Sequence, residues 1–298
     1  MINFAPGFAP QVECWSQRLL ENGWCIIPSL LLPELVGALD LDLASNFERT
    51  PFCEGGFYGS RTKRFGRLLV RSPLAKNLVE HPLILGIVRK VLGPWCDTVQ
   101  LNLTQAIALH PGAPPQLPHR DQDMWQGQVG TAEYLVNVMW PFTHYTAQNG
   151  ATVIYPDSHG AKALEPETPS RQFAAELEPG SALLFLGSTL HGAGGNSSDE
   201  VRRGAIVSYC LGWLKPYENQ WLAYPPSVAR SFSPELAALV GYAQHRPNLG
   251  NFEGQCPSVL FQDNLPEHLA ATDALTPEQE ELVADFVRQQ HWPLTQGR

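Results

Sequence analysis

Charge is scarce in this chain. Only 16% of its 298 residues are Asp, Glu, Lys or Arg, and the 29 acidic residues outnumber the 20 basic ones, for a formal net charge of -9. That balance excludes the sequence-independent grip on a phosphate backbone that a basic face provides. An anionic membrane surface repels the chain for the same reason, so neither nucleic acid nor membrane is expected as a partner. The six cysteines (Cys14, Cys25, Cys53, Cys96, Cys210, Cys256) contain no C-x-x-C, which argues against a thiolate zinc site and a disulfide framework. No apolar run reaches the roughly 18 residues of a membrane span. The opening MINFAPGFAPQVECWSQ shows no basic stretch followed by an apolar core, so no signal peptide is read there. A reduced, cytoplasmic protein is the expectation. Linkers, low-complexity stretches and internal repeats are missing too, which points to a single domain over residues 1–298.

Hydrophobic residues, by contrast, make up 44% of the chain, ample for a large core. The first ~95 residues read as mostly helical. Segment 9–22 has helical spacing and stops at Gly23, a short strand covers Trp24 to Ile27, and a helix begins after Pro33. Segment 82–92 opens on Pro82 and ends at Gly93, good helix punctuation. From about residue 97 to 215 the texture turns to strands, with candidates at 98–110, 132–142, 151–156, 181–187 and 202–214. Many short strands with no helices between them suggest an antiparallel double-sheet barrel or jelly roll, mainly β with flanking helices. Helix signals return in a C-terminal extension, 216–298, at Ser233–Val240 and Thr276–Gln290.

Three features carry chemistry. In LPHRDQDMW, His119 and Asp121 form an H-x-D pair, and on an extended backbone positions i and i+2 point the same way. Taken alone, the pair reads as a solvated loop before it reads as a ligand set. His191 follows the apolar strand SALLFLG and precedes a Gly-rich turn. A lone His there is often a hydrogen-bonded core residue, but two His and one carboxylate are also the facial triad of non-haem Fe(II). Arg202 and Arg203 open the last long strand. Alternation aims Arg202 inward with Gly204 and Ile206 and sends Arg203 to the opposite face. A buried guanidinium needs an anion, and its planar fork matches a carboxylate.

Together, His119, Asp121, His191 and Arg202 resemble the phytanoyl-CoA dioxygenase-like family of Fe(II)- and 2-oxoglutarate-dependent oxygenases. The turn NGATVIYPDSHG and the segments HGAGGNSSDEVRRGAIVSYCLGWLKPYENQW and SPELAALVGY are similar to its fungal branch, which modifies natural products. The resemblance implies a double-stranded β-helix and iron held by His119, Asp121 and His191. It also implies Arg202 on the distal carboxylate of 2-oxoglutarate, with Gln116, Thr152 and Asn137 around that co-substrate. Asn137 is read equally well as a sheet residue bonded to a neighbouring loop, and Trp125 either walls the site or simply packs. Dioxygen is consumed, ascorbate serves as reductant, and the substrate is a small molecule. Hydroxylation, desaturation and oxidative cyclisation are all open outcomes, and a homodimer is implied. Asp121 stands where halogenating relatives carry a small residue, so halogenation is disfavoured. Two other readings share these residues: a cupin-like metal-dependent isomerase or hydrolase, and a non-catalytic jelly roll binding a small molecule or sugar. The Arg-rich stretch 50–71 is read first as a solvated loop, with an anionic substrate as the alternative for Arg61, Lys63, Arg64 and Arg67.

Overall fold

A computed structural model describes residues 9–127, 130–165 and 169–290. The first eight residues, part of the stretch read above for a leader, lie outside that range. The chain folds as two compact units, one up to Pro225 and one from Pro226. Among the described residues no helix is long and apolar enough to cross a membrane.

The first unit begins with α1 (Ala9–Asn22), which buries Val12, Ser16 and Leu19 along one stripe at helical spacing. It is followed by β1 (Trp24–Ile27) and α2 (Pro33–Arg49), which starts with proline at its first turn. Then come β2 (Thr62–Phe65), two single-turn helices, α3 (Leu68–Arg71) and α4 (Lys76–Val79), and α5 (Pro82–Leu92), which is buried on nearly every side and packs on α1. Strands β3 (Val99–Leu109), β4 (Leu135–Pro141), β5 (Thr152–Ile154), β6 (Phe173–Ala175), β7 (Ala182–Leu186), β8 (His191–Ala193) and β9 (Arg202–Leu211) complete the unit with α6 (Gln220–Ala223). The second unit carries α7 (Pro226–Ala229), α8 (Pro234–Leu239) and α9 (Pro277–Gln289), the last opened by a capping box between Thr276 and Gln279.

Two antiparallel sheets face each other. The larger has the order β1-β7-β4-β9-β3-β2 and the smaller β6-β5-β8. Between them lies a core of Ile107, Met139, Leu183 and Phe185 from the large sheet and Ile154 and Ala175 from the small one. This is the double-sheet arrangement that the strand-rich sequence suggests. Central β4 is buried at every position, as expected of a strand covered on both faces. Strands β2, β6 and β8, three or four residues each, are shorter than any alternation the sequence displays. The long strand read from 98 to 110 is not regular either. A β-bulge between Leu101 and Leu103 leaves both Leu101 and Asn102 buried and resets the alternation.

Tyr145 lies beneath the start of β9, and only glycine at 204 leaves it room. A Cβ there meets the Tyr145 hydroxyl and comes within 2.5 Å of the Trp140 carbonyl. Gly204→Ala is therefore expected to cost about 1–3 kcal/mol in urea unfolding, through overpacking. Gly37→Ala, inside α2 with nothing within 4 Å of the new methyl group, is expected to stabilise by about 0.5–1 kcal/mol. Equal and small effects at the two positions would refute this packing account.

Candidate metal centre

His119 precedes a single 3-10 turn, Asp121–Met124, while His191 opens β8. Their backbones form an isolated antiparallel bridge in which each N–H donates to the other's carbonyl, at 2.9 and 3.0 Å. Residues exchanging both bonds lie directly opposite each other, and the two imidazole rings end 4.5 Å apart between centroids. In each ring Nδ1 donates to a backbone carbonyl two residues earlier, His119 to Leu117 at 2.9 Å and His191 to Thr189 at 3.0 Å. A carbonyl only accepts, so Nδ1 carries a proton, and in the neutral ring Nε2 keeps a free lone pair. Both Nε2 atoms face the Asp121 carboxylate, at 3.4 Å and 3.6 Å. One ligand atom from each of the three residues lies within 4.8 Å of the others.

Burial pushes the Asp121 carboxyl up, but the two histidines and Asn137 outweigh it and hold it below the usual range. For His191 burial dominates and lowers the imidazole, which favours the neutral ring a metal needs. Burial also opposes charge on His119, but the hydrogen bond and charge of Asp121 prevail and raise it.

These groups line a cavity of about 360 Å³. Arg202, Gln116, Thr152 and Asn137 line it as well. Arg202 is 2% exposed; its guanidinium donates to the Gly150 carbonyl at 2.6 Å and lies 4.3 Å from the Tyr145 ring centre. Its Nε is buried without a hydrogen-bond partner. Arg203 turns the other way and pairs with Asp40 of α2 at 2.5 Å. Gln116 accepts from the Ala193 N–H at 3.2 Å, and Thr152 is paired beside Ala193 on β5. Asn137 donates to Asp121 at 2.9 Å, so it steadies a ligand as well as lining the cavity. Trp125 is not a wall: its indole donates to the Lys215 carbonyl, and Met124 lines the cavity instead.

Of the four cations that the sequence offers as partners for an anion, Arg61, Lys63, Arg64 and Arg67, only Arg64 lines the cavity. It lies on β2 with its guanidinium in the cavity, bonded to Gln105 at 3.1 Å and stacked 4.9 Å from the Tyr58 ring centre, so the reading as a solvated loop does not hold for it. Its Nε is also buried and unpartnered, and burial lowers its pKa. The only available signal was the short apolar frame of TKRF. The neighbouring cations do not reach a ligand: Arg61, Lys63, Arg67 and Arg71 all donate to backbone carbonyls.

The geometry separates the two candidate ligand histidines, His119 and His191, from two others nearby in sequence. His144 is exposed and paired with Glu178, and His159 donates to the Leu20 carbonyl. His191→Ala is expected to weaken Fe(II) or Co(II) binding by well over about tenfold, whereas His144→Ala and His159→Ala leave metal loading intact. Equal loss in all three, measured by metal content after dialysis, would show that the distal ligand is misassigned.

Comparison with known proteins places the chain in a family. The chain is 28% identical over 237 residues to the dioxygenase trt7 of Aspergillus terreus, covering 76% of this chain and 82% of that one. To the dioxygenase aneA of Aspergillus aculeatus it is 31% identical over 238 residues, covering 73% and 78%. Among solved structures, it is similar to the epimerase SnoN in complex with Fe3+, alpha ketoglutarate and nogalamycin RO, with a TM-score of 0.57 at 18% identity over 68% of this chain and 85% of that one. That likeness places the two facing sheets in the double-stranded β-helix class. Residues 19–204 match the profile of the family Phytanoyl-CoA dioxygenase (PhyH), and the chain belongs to that family.

Proposed function

We propose that this protein is a non-haem Fe(II)- and 2-oxoglutarate-dependent dioxygenase that oxidises a small molecule of secondary metabolism. One observation carries the reading: two imidazoles, locked by their Nδ1–H bonds with Nε2 free, converge with one carboxylate at a cavity that also holds a buried guanidinium with an unpartnered nitrogen. The donor set fits iron. Two nitrogens and one carboxylate oxygen on one side leave coordination positions open for a chelating co-substrate and dioxygen. The names of the relatives, and the iron and alpha ketoglutarate bound by SnoN, support the same assignment.

In this reading His119, Asp121 and His191 hold the metal, and Asn137 fixes the orientation of the carboxylate. Arg202 neutralises the distal carboxylate of 2-oxoglutarate, with Gln116 and Thr152 beside it. Arg64 adds a second guanidinium to the cavity wall. Iron, when bound with 2-oxoglutarate and dioxygen, supplies the oxidising power: the co-substrate is split to succinate and CO2 while a substrate C–H bond is oxidised. The protein's own part is to orient the reactants and to keep water out. Ile107, Met139, Phe185 and Ile206 form the apolar wall that does so. Ascorbate would keep the iron reduced.

Adding Fe(II) and 2-oxoglutarate without oxygen is expected to produce the visible charge-transfer band of the chelate. An isomerase, a hydrolase or a lectin-like protein on this fold would show none, and its absence from folded, metal-loaded protein would overturn the proposal. Titrated through that band, Arg202→Ala is expected to raise the 2-oxoglutarate Kd roughly a hundredfold, the worth of a charged bidentate contact. Arg203→Ala, which removes only the pairing with Asp40, should leave the Kd unchanged. The reverse pattern would place the wrong arginine in the cavity.

A further inference from the structure

One side chain of the H-x-D segment turns away from its neighbours. Arg120 is extended, at φ -114° and ψ 122°, so its side chain leaves the face shared by His119 and Asp121. Its guanidinium reaches two loops instead. Nε donates to the Ser188 carbonyl at 2.9 Å, and a terminal nitrogen donates to the Ser158 carbonyl at 3.1 Å. Ser158 and Ser188 are fully buried, and among the described residues each of these carbonyls accepts from Arg120 alone. A buried carbonyl left without a donor is costly, so these contacts are not those of an idle surface arginine.

The two loops are also stitched to each other. The Ser158 hydroxyl accepts from the Leu190 N–H at 2.9 Å, and the Ser188 hydroxyl accepts from the Gly160 N–H at 3.0 Å. The Tyr155 N–H donates to the Leu190 carbonyl at 3.1 Å. The turn around PDSHG and residues 188–190 thus form one body, and His191 is the next residue along. The H-x-D segment meets this body through a backbone tie at each end, His119 to His191 and the Gln122 N–H to the Gly187 carbonyl at 3.0 Å. Asp121 lies between those ties, and the direction of its carboxylate depends on how the span between them is rotated. Arg120 grips that span at its middle. A planar fork on two carbonyls resists rotation in a way that a single bond does not.

We propose that Arg120 is a positioning residue of the metal centre, which by holding the Ser158 and Ser188 carbonyls fixes the Asp121 carboxylate against His191. The proposal rests on the metal centre read above and gives Asp121 a second support besides Asn137, which bonds the carboxylate directly. The sign of the effect separates positioning from simple charge. A cation near a dication weakens metal binding by repulsion, so removing an Arg120 that acted through charge alone would tighten it. Positioning requires the opposite.

The test compares three variants. Arg120→Met keeps the length and loses fork and charge, Arg120→Lys keeps the charge, and Arg120→Ala leaves space for a guanidinium ion. Co(II) affinity is measured by competition with a chelator, together with the visible bands of bound Co(II) and urea unfolding of the apoprotein. Arg120→Met and Arg120→Ala are expected to weaken Co(II) binding about ten- to a hundredfold, the usual effect of losing a support of a metal ligand, and to shift the bands. Arg120→Lys is expected to fall between them and the wild type, because an ammonium has no planar fork. Millimolar guanidinium is expected to restore affinity and bands to Arg120→Ala but not to Arg120→Met, whose side chain fills the space. Arg71→Met, which takes a guanidinium from the Gly66 carbonyl instead, should leave the affinity unchanged. Unchanged affinity in all three Arg120 variants would overturn the proposal, as would tighter binding in Arg120→Met with Arg120→Lys at the wild-type value. A loss that follows urea stability and that guanidinium does not restore would also overturn it, being the mark of a fold element only. A wild-type chain that binds no Co(II) would instead overturn the metal centre, and the oxygenase reading with it.

Discussion

Everything at this site hangs on two main-chain hydrogen bonds, those between His119 and His191. They join a loop that belongs to neither sheet to the edge strand β8, and they set the two imidazoles opposite each other before any metal arrives. Gln116 extends the same contact: its N–H donates to the Ala193 carbonyl at 2.9 Å, and its side chain accepts from the Ala193 N–H. Strand β5 then holds β8 from the other side, pairing Ile154 with His191 and Thr152 with Ala193. Preorganisation of this kind matters because a metal site that must first order its ligands loses part of its affinity to conformational entropy. With Nδ1 of each ring committed to a carbonyl, only Asp121 among the ligands relies on a side-chain partner, Asn137.

A second constraint follows from the two arginines. Arg64 and Arg202 share one cavity, both have a buried Nε without a partner, and among the described residues neither is paired with a carboxylate. Each guanidinium is partly solvated by the fold itself, through a carbonyl or amide oxygen and an aromatic face: Gly150 and Tyr145 for Arg202, Gln105 and Tyr58 for Arg64. Such contacts soften desolvation but do not neutralise charge. The chain is acidic as a whole, yet this cavity is locally positive, and field lines concentrate in a low-dielectric cleft. A co-substrate with its distal carboxylate on Arg202 offsets part of that positive charge.

How much of this was legible in the sequence depends on how local each interaction is. His119 and Asp121 were legible because two residues on extended chain suffice to aim them together. Arg202 was legible because β9 keeps regular alternation from its first residue, so inward and outward follow by parity, and Arg203 indeed meets Asp40 on the far side. Arg64 was named among four cations but could not be singled out, because four residues of β2 display no period, and its position is decided by pairing with β3, where Arg64 stands opposite Ile107. The hydrogen bond between the Tyr58 and Tyr217 hydroxyls on the cavity wall was not legible, its partners being 159 residues apart in the chain. For Trp125 the sequence left wall and packing equally open, and the tight turn after Asp121 decides for packing and brings Met124 to the cavity instead.

The bulge at Asn102 shows why parity alone could not reach the mouth. Read as a regular strand, β3 puts Asn102 on the face of Gln100 and Thr104, away from its apolar neighbours. The extra residue buries Asn102 beside Leu101 and brings Leu103, Gln105 and Ile107 onto the cavity face downstream. Freed from the ladder, Asn102 bonds in three directions: to the Ser208 hydroxyl of β9 at 3.0 Å, to the Tyr217 N–H, and, through its carbonyl, to the Glu218 N–H and the Gln220 side chain at 3.0 Å each. Glu218 in turn accepts from the Arg67 and Thr104 N–H groups, fastening the segment after β9 to the one before β3. One irregular residue in the largest sheet thereby sets where Tyr217 stands, partly exposed at the rim of the cavity. Bulges next to active sites re-aim the chain in this way, and here the re-aimed element is not the bulged strand but the segment that its freed side chain captures.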